Sequence, residues 1–314
     1  MKAIWRRQAG FLALLAALLG AGALAALAVS AIRVLPAALA APGPPGTPQA
    51  AQPAIPQKLE VSQGGYFYII LPGPPQQWPA RFNGQAVPVY PAGKNSIIWL
   101  AASYELKPGP YLLEAGTDRP IRVQIQVKAH AFPVQALAVS AAQEQIVRPE
   151  DPAVAAREQQ EVRAVDAARS HSSPHPLWQG AFIWPVQGHI SSEFGLIRKV
   201  NGRITGRHSG LDIAAPAGTP VLASNSGVVV LARNLLLTGN TVILDHGWGL
   251  TTSYLHMSQL QVHEGQQVRR GQVIGTVGAT GFATGPHLHW TAHLSGGFID
   301  PRILLNQGPP GVAP

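Results

Sequence analysis

The chain has 314 residues, 46% of them hydrophobic, a formal net charge of +8 and no cysteine. That length allows about two domains with a sizeable core. The missing cysteines exclude a disulfide scaffold and a thiolate zinc site, which leaves histidine and carboxylate as the only strong metal ligands.

In chain order, the first feature is an almost uninterrupted apolar run from Ala9 to Ile32, preceded by Lys2, Arg6 and Arg7 and followed by Arg33. It is long enough to cross a bilayer as a helix, and the charge bias places the short N-terminus in the cytoplasm and the bulk outside. The protein is therefore expected to be exported to the cell envelope. Its length favours a retained membrane anchor, while Ala38-Leu-Ala40 would serve signal cleavage, so both outcomes stay open. We assign residues 1–41 to this signal or signal-anchor segment. Residues 42–57, rich in Pro, Ala and Gln and free of charge until Lys58, read as a linker that packs no core.

Residues 58–130 show short β-branched and aromatic runs divided by turn residues: Tyr66 to Leu71, Ser96 to Leu100, Tyr111 to Glu114 and Ile121 to Val127. The last alternates strictly, as a half-buried strand should. A small antiparallel β-sandwich is the simplest reading. Residues 131–177 form a linker with a helix, because Arg148 to Arg169 lacks Gly and is dense in Ala, Glu, Gln and Arg. From residue 178 to 305, short apolar strands alternate with glycine-bearing turns, and 306–314 is a tail. The fold class is thus mostly β. Strands on either side of His246-Gly-Trp-Gly249 should pair as a hairpin that carries His256 inward.

Chemistry concentrates in His208-Ser-Gly-Leu-Asp212 and His287-Leu-His289. Side chains alternate across a strand, so His287 and His289 share a face, and an extended 208–212 segment brings its own pair to one side. Together they offer three imidazoles and a carboxylate to a single ion, which suits zinc. Gly210 and Pro216 argue against a helix there. The net charge would suit a polyanion, but export and the lack of a Lys/Arg block interleaved with aromatics argue against nucleic acid. The remaining histidines, His130, His171, His175, His189 and His263, have no partner spacing. His246, beside Gly247, reads as a turn residue. His293 shares the parity of His289 and is expected on the outer part of the strand rather than at the groove. Val262 to Gly278 has the glycine spacing of a carrier hairpin, but no lysine follows Lys199 to be modified.

These strings, with Phe194-Gly-x-x-Arg198, His208 through Val221, Tyr254-x-His256, Gly265 through Gly271 and Thr280 through Trp290, resemble the lysostaphin-type, or LytM-type, zinc metallopeptidases that cut peptidoglycan. The resemblance covers about Trp178 to Leu305. It implies an antiparallel β catalytic domain with a groove over the metal. It further implies one Zn2+ per chain, held by His208, Asp212 and His289, with His256 and His287 in catalysis. Thr291 stands where relatives often have Glu. The β module resembles the Ig-like domain of some exported members. The implied activity is hydrolysis of peptide bonds in peptidoglycan stems or cross-links. The alternative is a wall-binding module that activates amidases without catalysis, as in relatives that have lost metal ligands, but here every ligand is present. No His-Glu-x-x-His string supplies a glutamate base, so a neutral imidazole is the expected proton acceptor.

Overall fold

A computed structural model of the chain describes residues 55–137, 152–200 and 203–307. The apolar run at 9–32, the cleavage-like site and most of the linker lie outside the described residues. Among the described residues no helix is long and apolar enough to cross a membrane.

The N-terminal module comprises β1 (Lys58–Ser62), β2 (Gly65–Pro72), β3 (Ala80–Phe82), β4 (Gln85–Val87), β5 (Tyr90–Ala92), β6 (Asn95–Ala102), β7 (Gly109–Ala115) and β8 (Ile121–Lys128). One sheet runs β1-β8-β7-β3-β4 and faces a second, β2-β6-β5. Alternation in β8 buries Val123, Ile125 and Val127 while Arg122 and Gln124 face water. The period-2 reading of that segment is correct. These side chains meet Phe67, Ile69, Leu71, Ile98 and Leu113 in the sandwich core.

β6 is buried on both faces, and this fixes how the module sits. Ile98, Leu100 and Ala102 point into the sandwich, whereas Ile97, Trp99 and Ala101 enter a second core with Phe182, Trp248, Leu250, Ala292 and Leu294 from the C-terminal half. Burying a side chain as large as Trp99 or Leu250 is worth roughly 2–3 kcal/mol, so the two halves are held together by side chains and not by a tether. Backbone contacts agree: Ala101 N–H donates to Ser295 O at 3.1 Å and Asp300 N–H to Gly64 O at 2.8 Å. The described parts of the stretch read from sequence as a linker, residues 131–137 and 152–177, are likewise docked. Its strand β9 (Val134–Leu137) pairs in parallel with a strand of the C-terminal half.

Helix α1 (Pro152–Ser170) falls where composition placed it. Beyond it come β10 (His189–Ser192), β11 (Ile197–Val200), β12 (Arg203–Arg207), β13 (Leu211–Ala214), β14 (Pro220–Leu222), β15 (Gly227–Leu235), β16 (Gly239–Gly247) and β17 (Leu250–Met257). There follow β18 (Gln259–Leu260), β19 (Gln267–Val268), β20 (Val273–Thr276), β21 (His287–Leu294), β22 (Gly297–Ile299) and helix α2 (Arg302–Gln307). The main sheet runs β10-β13-β21-β17-β16-β15-β19, with β22 beside β21. β21 therefore lies between the strand bearing Asp212 and the strand ending near His256. Its even-numbered residues Leu288 and Trp290 join Leu211, Ile213, Leu244 and Tyr254 in the core, which turns the histidines to the opposite face.

β16 and β17 form the expected hairpin, but His246 is not a turn residue. It is fully buried in β16, with Nδ1 2.8 Å from Ser226 O, Nε2 2.7 Å from the Thr252 hydroxyl, and the Phe182 ring edge-on at 4.9 Å. The adjoining glycine suggested a turn, whereas burial comes from segments remote in sequence.

Candidate metal centre

Antiparallel pairing sets Asp212 directly opposite His289. His208 enters from the coil just before β13, so the 208–212 segment is non-helical as expected. Gly210 has to be glycine: a Cβ there would lie 2.2 Å from Trp290 O and 2.8 Å from Thr291 Cγ2. The close approach of this segment to β21 closes a triangle of donor atoms. His208 Nε2 is 3.0 Å from Asp212 Oδ1 and 2.9 Å from His289 Nδ1, and the remaining side, His289 Nδ1 to Asp212 Oδ1, is 2.7 Å. All three residues are buried.

The donor set fits a cation. Glu193 O, 2.8 Å from His208 Nδ1, can only accept, so Nδ1 carries the proton and Nε2 turns its lone pair inward. Burial opposes ionisation of Asp212, yet the adjoining His208 and His289 outweigh it and hold its carboxyl well below the usual range. Burial likewise pushes His289 down to about 3, against the opposing pull of Asp212, so its ring is neutral at neutral pH. Two imidazoles and a carboxylate form a three-ligand set that zinc accepts while keeping a position open.

The other two histidines flank this triangle. His287 Nε2 is 3.8 Å from Asp212 Oδ1, and its Nδ1 lies 2.8 Å from Gly285 O. His256 Nδ1 lies 2.9 Å from Thr280 O, and its ring centre is 4.9 Å from that of His287 and 6.2 Å from that of His289. In each, Nδ1–H donates to the backbone carbonyl, which leaves Nε2 as the basic nitrogen. His256 has φ +63, a left-handed backbone that non-glycine residues seldom adopt, held by its N–H donating to Thr238 O at 2.9 Å. Burial is the main cause lowering its pKa to about 4.

All five residues singled out from sequence therefore meet in one place. His293, two pairs along β21, does not: it packs 5.4 Å from Phe298, away from the triangle. Sequence reasoning did not find the groups that fix the rings. These are the carbonyls of Glu193, Thr280 and Gly285, together with Ser192 and Ser209, whose hydroxyls lie 3.3 and 3.4 Å from His208 Nδ1 and His289 Nε2. Backbone acceptors leave no signature in residue identity.

Residues 206–301, which hold the whole triangle, match the model of peptidase family M23. The fold is similar to that of a Pseudomonas aeruginosa protein whose crystal structure is assigned to the M23 peptidases, at 33% identity and a TM-score of 0.59 over 78% of this chain and 94% of that one. The chain belongs to peptidase family M23. Among curated relatives it is 51% identical over 117 residues to the peptidoglycan DD-endopeptidase ShyA of Vibrio cholerae, a stretch that is 36% of this chain and 27% of that protein. It is 45% identical over 134 residues to the cell division protein DipM of Caulobacter vibrioides, covering 40% of this chain and 21% of that one. The match thus spans only about a quarter of the length of these relatives.

Proposed function

We propose that this M23 peptidase is an exported, zinc-dependent endopeptidase that hydrolyses peptide bonds in peptidoglycan stems or cross-links. The observation that carries the reading is the triangle of His208, Asp212 and His289 donors, 2.7–3.0 Å apart, with the Nε2 of His287 3.8 Å from the same carboxylate oxygen. Similarity to ShyA, a peptidoglycan DD-endopeptidase, supports D-alanine-containing cross-links as the substrate class. The apolar run at 9–32 with its basic flank supports export.

In this reading His208, Asp212 and His289 hold the ion, which when bound supplies Lewis acidity toward water and the scissile carbonyl. The remaining work falls to side chains of the chain itself. His256 and His287 present basic Nε2 atoms on rings whose tautomers are fixed by Thr280 O and Gly285 O. One accepts the proton of the attacking water and returns it to the leaving amine, and the other donates toward the developing oxyanion. Because burial holds His256 neutral down to about pH 4, it is competent as a base at neutral and mildly acidic pH alike.

The experiment is incubation of the purified protein with isolated sacculi, followed by mass spectrometry of released muropeptides, with and without chelator and after zinc is restored. Cross-link cleavage that disappears with chelator and returns with zinc is expected. Absence of new products, together with stimulation of an added amidase, would replace this reading with that of a non-catalytic activator.

A further inference from the structure

His256 faces the metal centre against the alternation of its own strand. Tyr254 and Met257 of β17 are both fully buried in the core of the C-terminal half, although residues an odd number apart in a regular strand point to opposite sides. The register accounts for it. Val242 stands opposite Tyr254 and Asn240 opposite Met257, so that Leu255 and His256 together face the single residue Thr241. This is a β-bulge, which bends a strand and re-aims the side chain it carries. Its mark is the left-handed backbone of His256, φ +63. In an unbroken strand His256 would follow Tyr254 into the core. Here Met257 takes that place, and the imidazole turns to within 4.9 Å of the His287 ring.

Two side chains from outside β17 tie the bulge shut. The Thr280 hydroxyl donates to Met257 O at 2.7 Å and accepts from Asn240 N–H at 2.9 Å. Asn240 Oδ1 accepts from Asn234 Nδ2 at 3.0 Å, which turns the amide so that Asn240 Nδ2 donates to Met257 O and Ser258 O, both at 3.0 Å. Met257 O, at the end of the bulge, thus collects two donors. Thr280 also grips His256 itself: its carbonyl accepts from Nδ1–H at 2.9 Å, and its N–H donates to His256 O at 3.4 Å. One residue therefore closes the bulge and fixes the tautomer of the ring the bulge presents. The approach is possible because position 239 has no side chain, since a Cβ there would lie 2.2 Å from Thr280 Oγ1. A left-handed non-glycine residue persists only where its surroundings over-determine it, and such residues cluster at active sites.

We infer that Asn240 and the Thr280 hydroxyl are positioning residues for the reaction: by closing the bulge they hold His256 on the metal side of β17 with its Nε2 directed to the site. They act through His256 and not on substrate. This rests on the peptidase reading, and its tests separate the two. Bonds that served the hairpin alone would cost stability when lost and leave the work of the imidazole untouched.

Thr280→Val keeps the size of the side chain and removes the hydroxyl, Asn240→Ala removes the amide, and Thr280→Ser keeps the hydroxyl without the methyl. With zinc-loaded protein and purified dimeric muropeptide, the first two should lower kcat about tenfold to a hundredfold, the loss expected when a reacting group is misplaced by about 1 Å, with KM and zinc content unchanged. Thr280→Ser should recover most of that rate. In a His256→Gln background Thr280→Val should cost nothing further, because groups that act as a unit are not additive. Nitrogen NMR of histidine-labelled protein reads the ring directly. The Nδ1-protonated tautomer of His256 should give way to a mixture in both clamp variants, and if Thr280→Val does not fold, Asn240→Ala carries the same test. Ser258→Ala, which loses hydroxyl bonds to Thr276 and Val277 beside the bulge, should melt lower while kcat and the His256 signals stay as they are. Unchanged His256 signals or unchanged kcat in the clamp variants overturn the proposal, and so does a loss of kcat as large in the His256→Gln background as in wild type. Wild type that hydrolyses no muropeptide, while the clamp variants still alter the His256 signals, keeps the clamp as the holder of the ring and overturns the peptidase reading.

Discussion

Lowering the pH from 7 to 5 should destabilise this protein through His246, a residue of the strand scaffold with no part in the metal centre. Burial pushes its pKa down from the ordinary 6.5 to about 4, against the Ser226 carbonyl, which favours the charged ring. The unfolded chain therefore binds a proton between those values that the folded chain refuses. The stability contributed by the neutral ring is complete above about pH 6.5 and is lost as the pH falls toward 4. With 6.5 and about 4 as the two values, linkage gives a loss of about 2 kcal/mol between pH 7 and pH 5. His256, His289 and His293 are depressed too and act in the same direction, so a substitution is needed to isolate the share of His246. His246→Gln keeps a donor and an acceptor near Ser226 and Thr252 at some loss of packing against Phe182. Urea unfolding followed by tryptophan fluorescence, in chelator at pH 7, 6 and 5, should show the variant less stable at pH 7 but losing about 2 kcal/mol less on acidification. If variant and wild type lose the same amount, the ring is not held neutral by burial and the reasoning fails.

Asp212→Ala combined with His289→Ala should abolish stoichiometric zinc in metal analysis of purified protein, since two corners of the donor triangle are gone. His256→Gln and His287→Gln should each keep zinc and lose about 10²–10⁴-fold in muropeptide release, the usual worth of general acid–base help. The same assay on wild type should hold its rate well below pH 6 as far as His256 is concerned, because burial lowers that ring to about 4. A fall centred nearer 6 would have to come from another group. Trp99→Ala, at a fully buried site edge-on to Tyr66 and Trp178, should cost about 3–5 kcal/mol and lower the melting of both halves together in calorimetry. Two separated transitions would show that the cores are independent.

The local chemistry was readable in the residues, and the long-range packing was not. Alternation put His287 and His289 on one face, but spacing alone could not tell which joins Asp212. That choice depends on the register of β21 against β13, set by Leu288 and Trp290 fitting the core. Composition located α1 to within a few residues, yet a helix without an apolar stripe carries no sign of which surface it will lie on. In β6 the run Ser96 to Leu100 announced a strand, but period 2 says only in or out. That its odd residues would share a core with Trp248 and Leu294 needed the partner's position. His246 was misread for a related reason: Gly247 gives a local turn signal, whereas the Ser226, Thr252 and Phe182 that enclose it lie elsewhere in the chain.

The place of β21 in the sheet bears on how the molecule comes into being. Residues 287–294 are among the last strands in the chain and yet sit between β13 and β17, with Asp212 on one side and Leu255 on the other. Until a growing or threading chain delivers them, the earlier strands have an open seam where the third donor belongs, and contacts separated by about eighty residues have to wait for it. A nascent or truncated chain that stops before His289 can hold His208 and Asp212 but not the triangle. Assembly of the metal triangle is thereby tied to the arrival of β21, so that a fragment stranded before it during synthesis remains inert.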